Sequence, residues 1–346
     1  MRKNKVWALV FIVTLIAATM AGCGSDKKNA SSNEPSDSAK SSSSASAPAD
    51  GKTGGEKKKL KIGAAMPIFD DKWLSYLYDS MKKAASENDV DLVMVDAKND
   101  NNTQLTQMET FVSEKVDAIL LVPVQTEAVD PMLEAAKAAN IPVVVVNRKP
   151  NESALKDIYA YVGSDSLVAG TIQMEKVAEL LGGKGNIGIM NGQLGQEAVV
   201  NRTQGNKNVI AKYPDLKLIR EATANWQRSE GMTLMENWIQ SGEKFDAIVA
   251  NNDEMAIGAI MALEAAGKLD KTIVAGIDGT VDALDYVKSG KLKVTAFQDP
   301  MGQGKVGLET AIKAARGEKI DNKMIDVPFE VITPDNVDVY FKKWGK

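Results

Sequence analysis

From Leu60 onward, short apolar runs alternate with stretches whose apolar positions recur every three or four residues. These are the two periods of a buried strand and an amphipathic helix. The runs Lys61–Met66, Leu92–Val95, Ala118–Val122 and Val143–Val146 predict four strands, separated by helices near Lys72–Glu87, Thr103–Glu114 and Ala128–Ala139. A second series predicts strands at Ile187–Met190, Leu216–Ile219, Ala247–Ala250, Ile273–Gly276 and Val294–Phe297. Helical patterns accompany it near Gln196–Lys212, Arg228–Gln240, Met255–Ala266, Val281–Lys288 and Gly304–Arg316. Short β-branched runs without polar alternation suit strands covered on both faces, as parallel sheets are. The order therefore predicts an α/β chain with two doubly wound parallel-sheet domains.

Each run ends in polar residues. In the first series these are Asp70-Asp71-Lys72-Trp73, Asp96-Ala97-Lys98-Asn99-Asp100, Pro123-Val124-Gln125-Thr126 and Asn147-Arg148-Lys149-Pro150. In the second they are Asn191-Gly192-Gln193, Asn225-Trp226-Gln227, Asn251-Asn252-Asp253, Asp278-Gly279-Thr280 and Gln298-Asp299-Pro300. Ligands of open parallel sheets lie beyond the carboxyl ends of the strands. Any one of these residues is equally a helix cap or a turn former, but the set, from two domains able to face each other, outlines a cleft. At Phe69-Asp70-Asp71-Lys72-Trp73, two carboxylates beside an indole suit a ring with apolar faces and a hydroxylated edge. The structural alternative is an acidic helix N-terminus beside a tryptophan that only packs. Arg202 offers a planar fork for two ring hydroxyls or a carboxylate, or else a surface ion pair. Trp226, at a strand end, is either a second apolar wall opposite Trp73 or part of a helix interface.

Composition narrows the chemistry. The 346 residues contain no histidine, and Cys23 is the only cysteine. Imidazole bases, thiolate nucleophiles, disulfides and Cys/His zinc sites are thus excluded from the folded part. A glycosidase using paired carboxylates such as Asp71 and Asp278 is the main enzymatic alternative left. Gly182-Gly183-Lys184-Gly185 precedes a strand instead of joining strand to helix, so it reads as a helix-ending turn and not a phosphate cradle. No cofactor is expected.

Arg2, Lys3 and Lys5 precede the apolar run Val6–Ala21 and then Gly22-Cys23-Gly24, the order of an export signal. Met20-Ala21-Gly22-Cys23 resembles a bacterial lipoprotein box, with Met20 where leucine is usual. That resemblance implies removal of residues 1–22, a lipid on the Cys23 sulfur and a folded part facing outside the cytoplasm at the cell membrane. An uncleaved anchor helix would place it on the same side. Gly24 to Lys59 holds no aromatic and no aliphatic side chain larger than alanine, so it cannot bury enough surface to fold. As flexible coil, these residues from Cys23 to Lys59 make a tether with a reach of about 30–36 Å. Beyond Cys23 the chain carries 39 basic against 46 acidic side chains, which argues against nucleic acid as a partner.

Together these residues resemble the periplasmic monosaccharide-binding proteins of ABC importers, the group of ribose-, galactose/glucose- and inositol-binding proteins. The resemblance runs from Leu60 to Val339 and is carried by Asp70-Asp71-Lys72-Trp73, Val146-Asn147-Arg148-Lys149-Pro150, Val162-Gly163-Ser164-Asp165-Ser166, Thr223-Ala224-Asn225-Trp226, Ala250-Asn251-Asn252-Asp253-Glu254-Met255-Ala256 and Gly276-Ile277-Asp278-Gly279. Several of these stretches point to the galactose/glucose branch. The resemblance implies the type I periplasmic binding protein fold with a three-segment hinge. Its N-terminal lobe would be residues 60–163 plus 300–326, and its C-terminal lobe 164–299 plus 327–346. Asp71 would accept from a sugar hydroxyl and Trp73 and Trp226 would sandwich the ring. Asn147, Arg148, Arg202, Asn252, Asp278 and Gln298 would bind the remaining hydroxyls. A galactose/glucose-like hexose is the favoured ligand, with myo-inositol and ribose as alternatives, since Gln196 and Ala198 stand where that branch has histidine and aspartate. Leu181 to Asn186 is short and lacks a carboxylate, so no metal is expected where that branch binds calcium. The expectation is a monomeric, lipid-anchored receptor that closes on a monosaccharide and delivers it to the transmembrane subunits of an ABC permease. A sensor kinase or chemoreceptor is the alternative partner. A sugar-responsive repressor of the same fold is opposed by the export signal and by the lack of a DNA-binding head before Leu60.

Overall fold

The computed structural model describes residues 59–346; the predicted export signal, Cys23 and nearly all of the tether lie outside them. The chain begins with β1 (Lys61–Met66), α1 (Lys72–Glu87), β2 (Asp91–Asp96), α2 (Asn101–Ser113), β3 (Ala118–Leu121), α3 (Asp130–Ala138), β4 (Val143–Val146) and β5 (Ala160–Gly163). It continues through α4 (Ser166–Leu180), β6 (Lys184–Asn191), α5 (Glu197–Ile210), β7 (Asp215–Thr223), α6 (Arg228–Gln240), β8 (Ala247–Ala250), α7 (Asp253–Ala265), β9 (Ile273–Ala275), α8 (Val281–Lys288) and β10 (Thr295–Phe297). It ends with α9 (Pro300–Ala315), β11 (Met324–Asp326), β12 (Glu330–Ile332) and α10 (Val337–Lys343).

Two parallel sheets result. The first has six strands in the order β11-β5-β4-β3-β1-β2, and the second four in the order β7-β6-β8-β9. Beyond β9, a parallel bridge from Ala275 to Val294 leads to β10, which pairs antiparallel with β12. In each sheet the winding reverses beside the first strand, so crevices open at the ends of β1 and β3 and of β6 and β8.

Period-two alternation sorts each strand's side chains onto opposite faces. Ile62, Ala64 and Met66 of β1 join Leu77 and Met81 of α1 and Leu308 and Ala311 of α9. On the other face, Ile119 and Leu121 of β3 join Met108 and Phe111 of α2 and Met132 of α3. In the second sheet, Ile248 and Ala250 of β8 face α6, α7 and α8, while Ala247 and Val249 face α4 and α5. Two-face cover, expected for every strand, fails at the edges: β2 is only half-buried and β7 largely exposed. β7 is also longer than the predicted Leu216–Ile219.

The chain passes between the two sheet layers three times: from β5 to α4, from β10 to α9, and from β11 to β12. The crossings are bonded to one another. The Val327 amide donates to the Gly163 carbonyl at 2.8 Å, the Ser164 hydroxyl donates to the Val327 carbonyl, and Gln303 Nε2 donates to Ser164 Oγ at 2.8 Å. Helix α4, strand β5 and the elements β11, β12 and α10 were not anticipated from the pattern. Among the described residues no helix is long and apolar enough to cross a membrane.

Candidate functional site

The nine side chains singled out in the sequence come from seven places in the fold, six of them strand ends or helix starts. Asp71 and Asn252 are the N-caps of α1 and α7, their side chains accepting from the amides of Leu74 and Met255. Trp73 sits in the first turn of α1, Asn147 and Arg148 follow β4, and Arg202 lies on α5. Trp226 follows β7, Asp278 follows β9 and Gln298 follows β10. All nine line one narrow chamber of about 50 Å³, together with Leu74, Gln196 and Ala198. That is room for about four water molecules, fewer atoms than a hydroxylated six-membered ring carries, so a ring seated there would reach into the adjoining space. Five of the nine, Asp71, Trp73, Trp226, Asn252 and Asp278, also border a wider mouth of about 500 Å³.

The two indoles come from elements of different sheet layers, each fixed by its own hydrogen bond. Trp73 Nε1 donates to the Gln298 carbonyl at 3.1 Å, and Trp226 Nε1 donates to Gln196 Oε1 at 3.0 Å. Trp226 takes a left-handed backbone, φ 67°, which is costly for a bulky residue. The surroundings hold it there: Asn252 Nδ2 donates to its carbonyl at 3.2 Å. Its ring lies so close over Gly192 that a Cβ there would stand 2.2 Å from it. Asn147 also has a left-handed backbone, φ 66°, and its Nδ2 donates to Gln303 Oε1 at 3.1 Å.

The charged groups are set by burial. Arg202 is 5% exposed. Its Nη1 donates to the Asn251 carbonyl at 2.6 Å and its Nη2 to Gln298 Oε1 at 2.9 Å, while its Nε has no acceptor. Asp278 is 4% exposed, and its nearest cation is Arg202, 3.8 Å from Nη1 to Oδ1. The Asp278 carboxylate accepts no hydrogen bond from the described residues. Burial, reinforced by the charge of Asp253, holds its carboxyl well above the ordinary range, with Arg202 opposing. Burial likewise raises Asp71, against the Leu74 amide and the Arg148 guanidinium. Arg148 is anchored by Nη1 to the carbonyls of Pro123 and Val124, at 2.9 and 3.1 Å. Unsatisfied buried polar groups are costly in a low dielectric, so such a chamber favours an occupant rich in hydroxyls.

Three contributors were missed as site residues. Gln196 orients Trp226 and also donates through Nε2 to the Val124 carbonyl across the chamber at 3.4 Å. Gly192 makes room for that indole. Asp253, wholly buried, accepts from Thr295 Oγ1 at 2.6 Å and the Thr280 amide at 3.1 Å, fixing the loop that carries Asp278. The polar clusters at the strand ends hinted at Gly192 and Asp253, and the family resemblance had marked the position of Gln196.

The periplasmic binding protein domain matches residues 62–319. A protein of Rhizobium meliloti named for rhizopine binding is 43% identical over 281 residues, 80% of this chain and 91% of that one. A xylitol-binding protein of Mycolicibacterium smegmatis is 40% identical over 264 residues, 75% of this chain and 74% of that one. An ABC transporter solute-binding protein of Bacillus halodurans, solved with bound myo-inositol, superposes with a TM-score of 0.80 at 45% identity, covering 84% of this chain and 99% of that one. The expected leaning toward the galactose/glucose branch finds no support among these relatives. This chain therefore belongs to the periplasmic binding protein family, in the monosaccharide-binding group that serves ABC importers, and is a solute-binding protein and not an enzyme.

Proposed function

We propose that this protein is the receptor for a cyclic polyol of the myo-inositol type and presents it to an ABC permease. The carrying observation is the single chamber shared by Trp73, Trp226, Asp71 and Asp278. Ring C–H groups pack on indole faces, and hydroxyls donate strongly to buried carboxylates while accepting from Arg148, Arg202, Asn147, Asn252 and Gln298. A cyclitol carries a hydroxyl on each ring carbon, which suits polar groups on every side of the ring. Relatives support this choice over a hexose or pentose: the structure with bound myo-inositol is 45% identical, whereas the ribose import binding protein of Bacillus subtilis is 31% identical.

Titration calorimetry against myo-inositol, xylitol, ribose, galactose and glucose tests the assignment. Myo-inositol should bind tightest, and Trp73→Ala and Asp278→Ala should each cost about 1–3 kcal/mol. Binding of galactose or glucose without myo-inositol would overturn it.

In this reading the closing bodies are residues 60–163 with 300–326 and residues 164–299 with 327–346, and the three crossings are the hinge. The receptor works as a monomer, held to the membrane by lipid on Cys23. The charged, apolar and small-residue order of residues 2–23 supports the anchor. Metabolic labelling with palmitate should mark the wild-type protein and not Cys23→Ser; a wild-type protein without label would sink the lipid anchor.

A further inference from the structure

The chamber is narrow and the adjoining mouth is ten times larger, about 500 Å³ against about 50 Å³, so the two together exceed what one ring needs. It is more than an open rim. Trp226 borders both spaces, and Met232 and Met261 add polarisable apolar surface beside the hydroxyl of Ser229. An indole edge, two thioethers and a hydroxyl resemble in kind the wall that holds the first ring.

The charges at the mouth state what it will not take. Arg228 is bound through Nε and Nη2 to Glu254 at 2.7 and 2.8 Å, and through Nη2 to Asp282 at 3.2 Å. Lys72 lies 3.9 Å from the same Asp282. Both cations are therefore already matched by carboxylates. Asp70 is exposed at the mouth with no cation within ion-pair distance among the described residues. An anionic substituent would meet this net negative rim without a free cation to receive it.

We infer that the receptor's substrate class includes glycosides of its cyclitol, with the polyol ring in the chamber and a second, uncharged sugar ring in the mouth against Trp226, Ser229 and Met232. The inference rests on the cyclitol reading above, and extends it from the bare ring to ring-substituted ligands. It assigns Ser229 and Met232 to specificity, away from the residues that hold the first ring.

Calorimetry on the full chain with myo-inositol, α-galactosyl-myo-inositol and myo-inositol monophosphate tests it. The glycoside should bind within about tenfold of the free ring or tighter, and the phosphate about a hundredfold more weakly. Ser229→Trp and Met232→Trp, which fill the mouth, should weaken the glycoside about tenfold while leaving myo-inositol within about twofold. Binding of myo-inositol without the glycoside would overturn the inference and leave the cyclitol reading standing. Failure of both ligands would overturn the cyclitol reading and this inference with it. Equal binding of the phosphate would refute the requirement for an uncharged substituent.

Discussion

Asp253 shows how far a single residue can act without touching the chamber. It is wholly buried, and burial lifts its carboxyl to about 7 even though Thr295 and the Thr280 amide favour the charged form. Its charge in turn helps raise Asp278, so the two titrate as a pair. The folded state holds this proton more tightly than the unfolded chain does. The contribution of this group to stability is therefore fullest below the ordinary carboxylate range and falls as pH rises toward about 7. Asp253→Asn should flatten that decline in a melting-temperature series from about pH 4 to about pH 8; an unchanged slope would refute the assignment. In sequence Asp253 is one of several acids near a helix start. Asn252 beside it was legible as a strand-end polar residue, but Asp253 owes its role to Thr295, 42 positions away.

At the scale of elements, the second sheet is covered by two helix pairs in which backbones touch through glycines. A Cβ on Gly170 of α4 would stand 1.9 Å from the Arg202 carbonyl oxygen of α5, and one on Gly258 of α7 would stand 2.1 Å from the Arg228 carbonyl oxygen of α6. Arg202 and Asn252 are positioned by these contacts. Gly170→Ala should therefore cost about 1–3 kcal/mol of stability through overpacking, and should also weaken ligand binding because Arg202 moves. Denaturant unfolding and calorimetry on the same variant check both; full stability with unchanged affinity would count against this role. The same glycine hid α4 from the sequence, since it interrupts an otherwise apolar stretch that is not clearly amphipathic. β5, β11 and β12 escaped because runs of three or four residues carry too little periodicity to register.

Across the whole molecule, side chains from the two sheet layers bond directly to one another. Besides Trp73 with Gln298, Asn99 Nδ2 donates to Gln193 Oε1 at 2.9 Å, the Glu197 amide donates to Thr126 Oγ1 at 3.2 Å, and the rings of Tyr76 and Trp344 meet edge to face at 4.6 Å. Few covalent crossings and many small polar contacts suit a closure that a ligand can tip. Small-angle scattering should show the radius of gyration contract when saturating myo-inositol is added to the free protein. Identical curves with and without bound ligand would argue against a hinge.

The alternation of buried strands and amphipathic helices, and the polar residues after each strand, are local properties. The α/β class and the parallel sheets could therefore be read from the chain itself, whereas the nine chamber residues were singled out of its many polar groups by the family resemblance. Folding decided which distant strand ends meet. It set Gln196 against Trp226, opened space over Gly192, buried Asp253 behind Asp278 and left a wide mouth outside a narrow chamber. These depend on contacts between residues far apart in sequence, where no local period carries a signal.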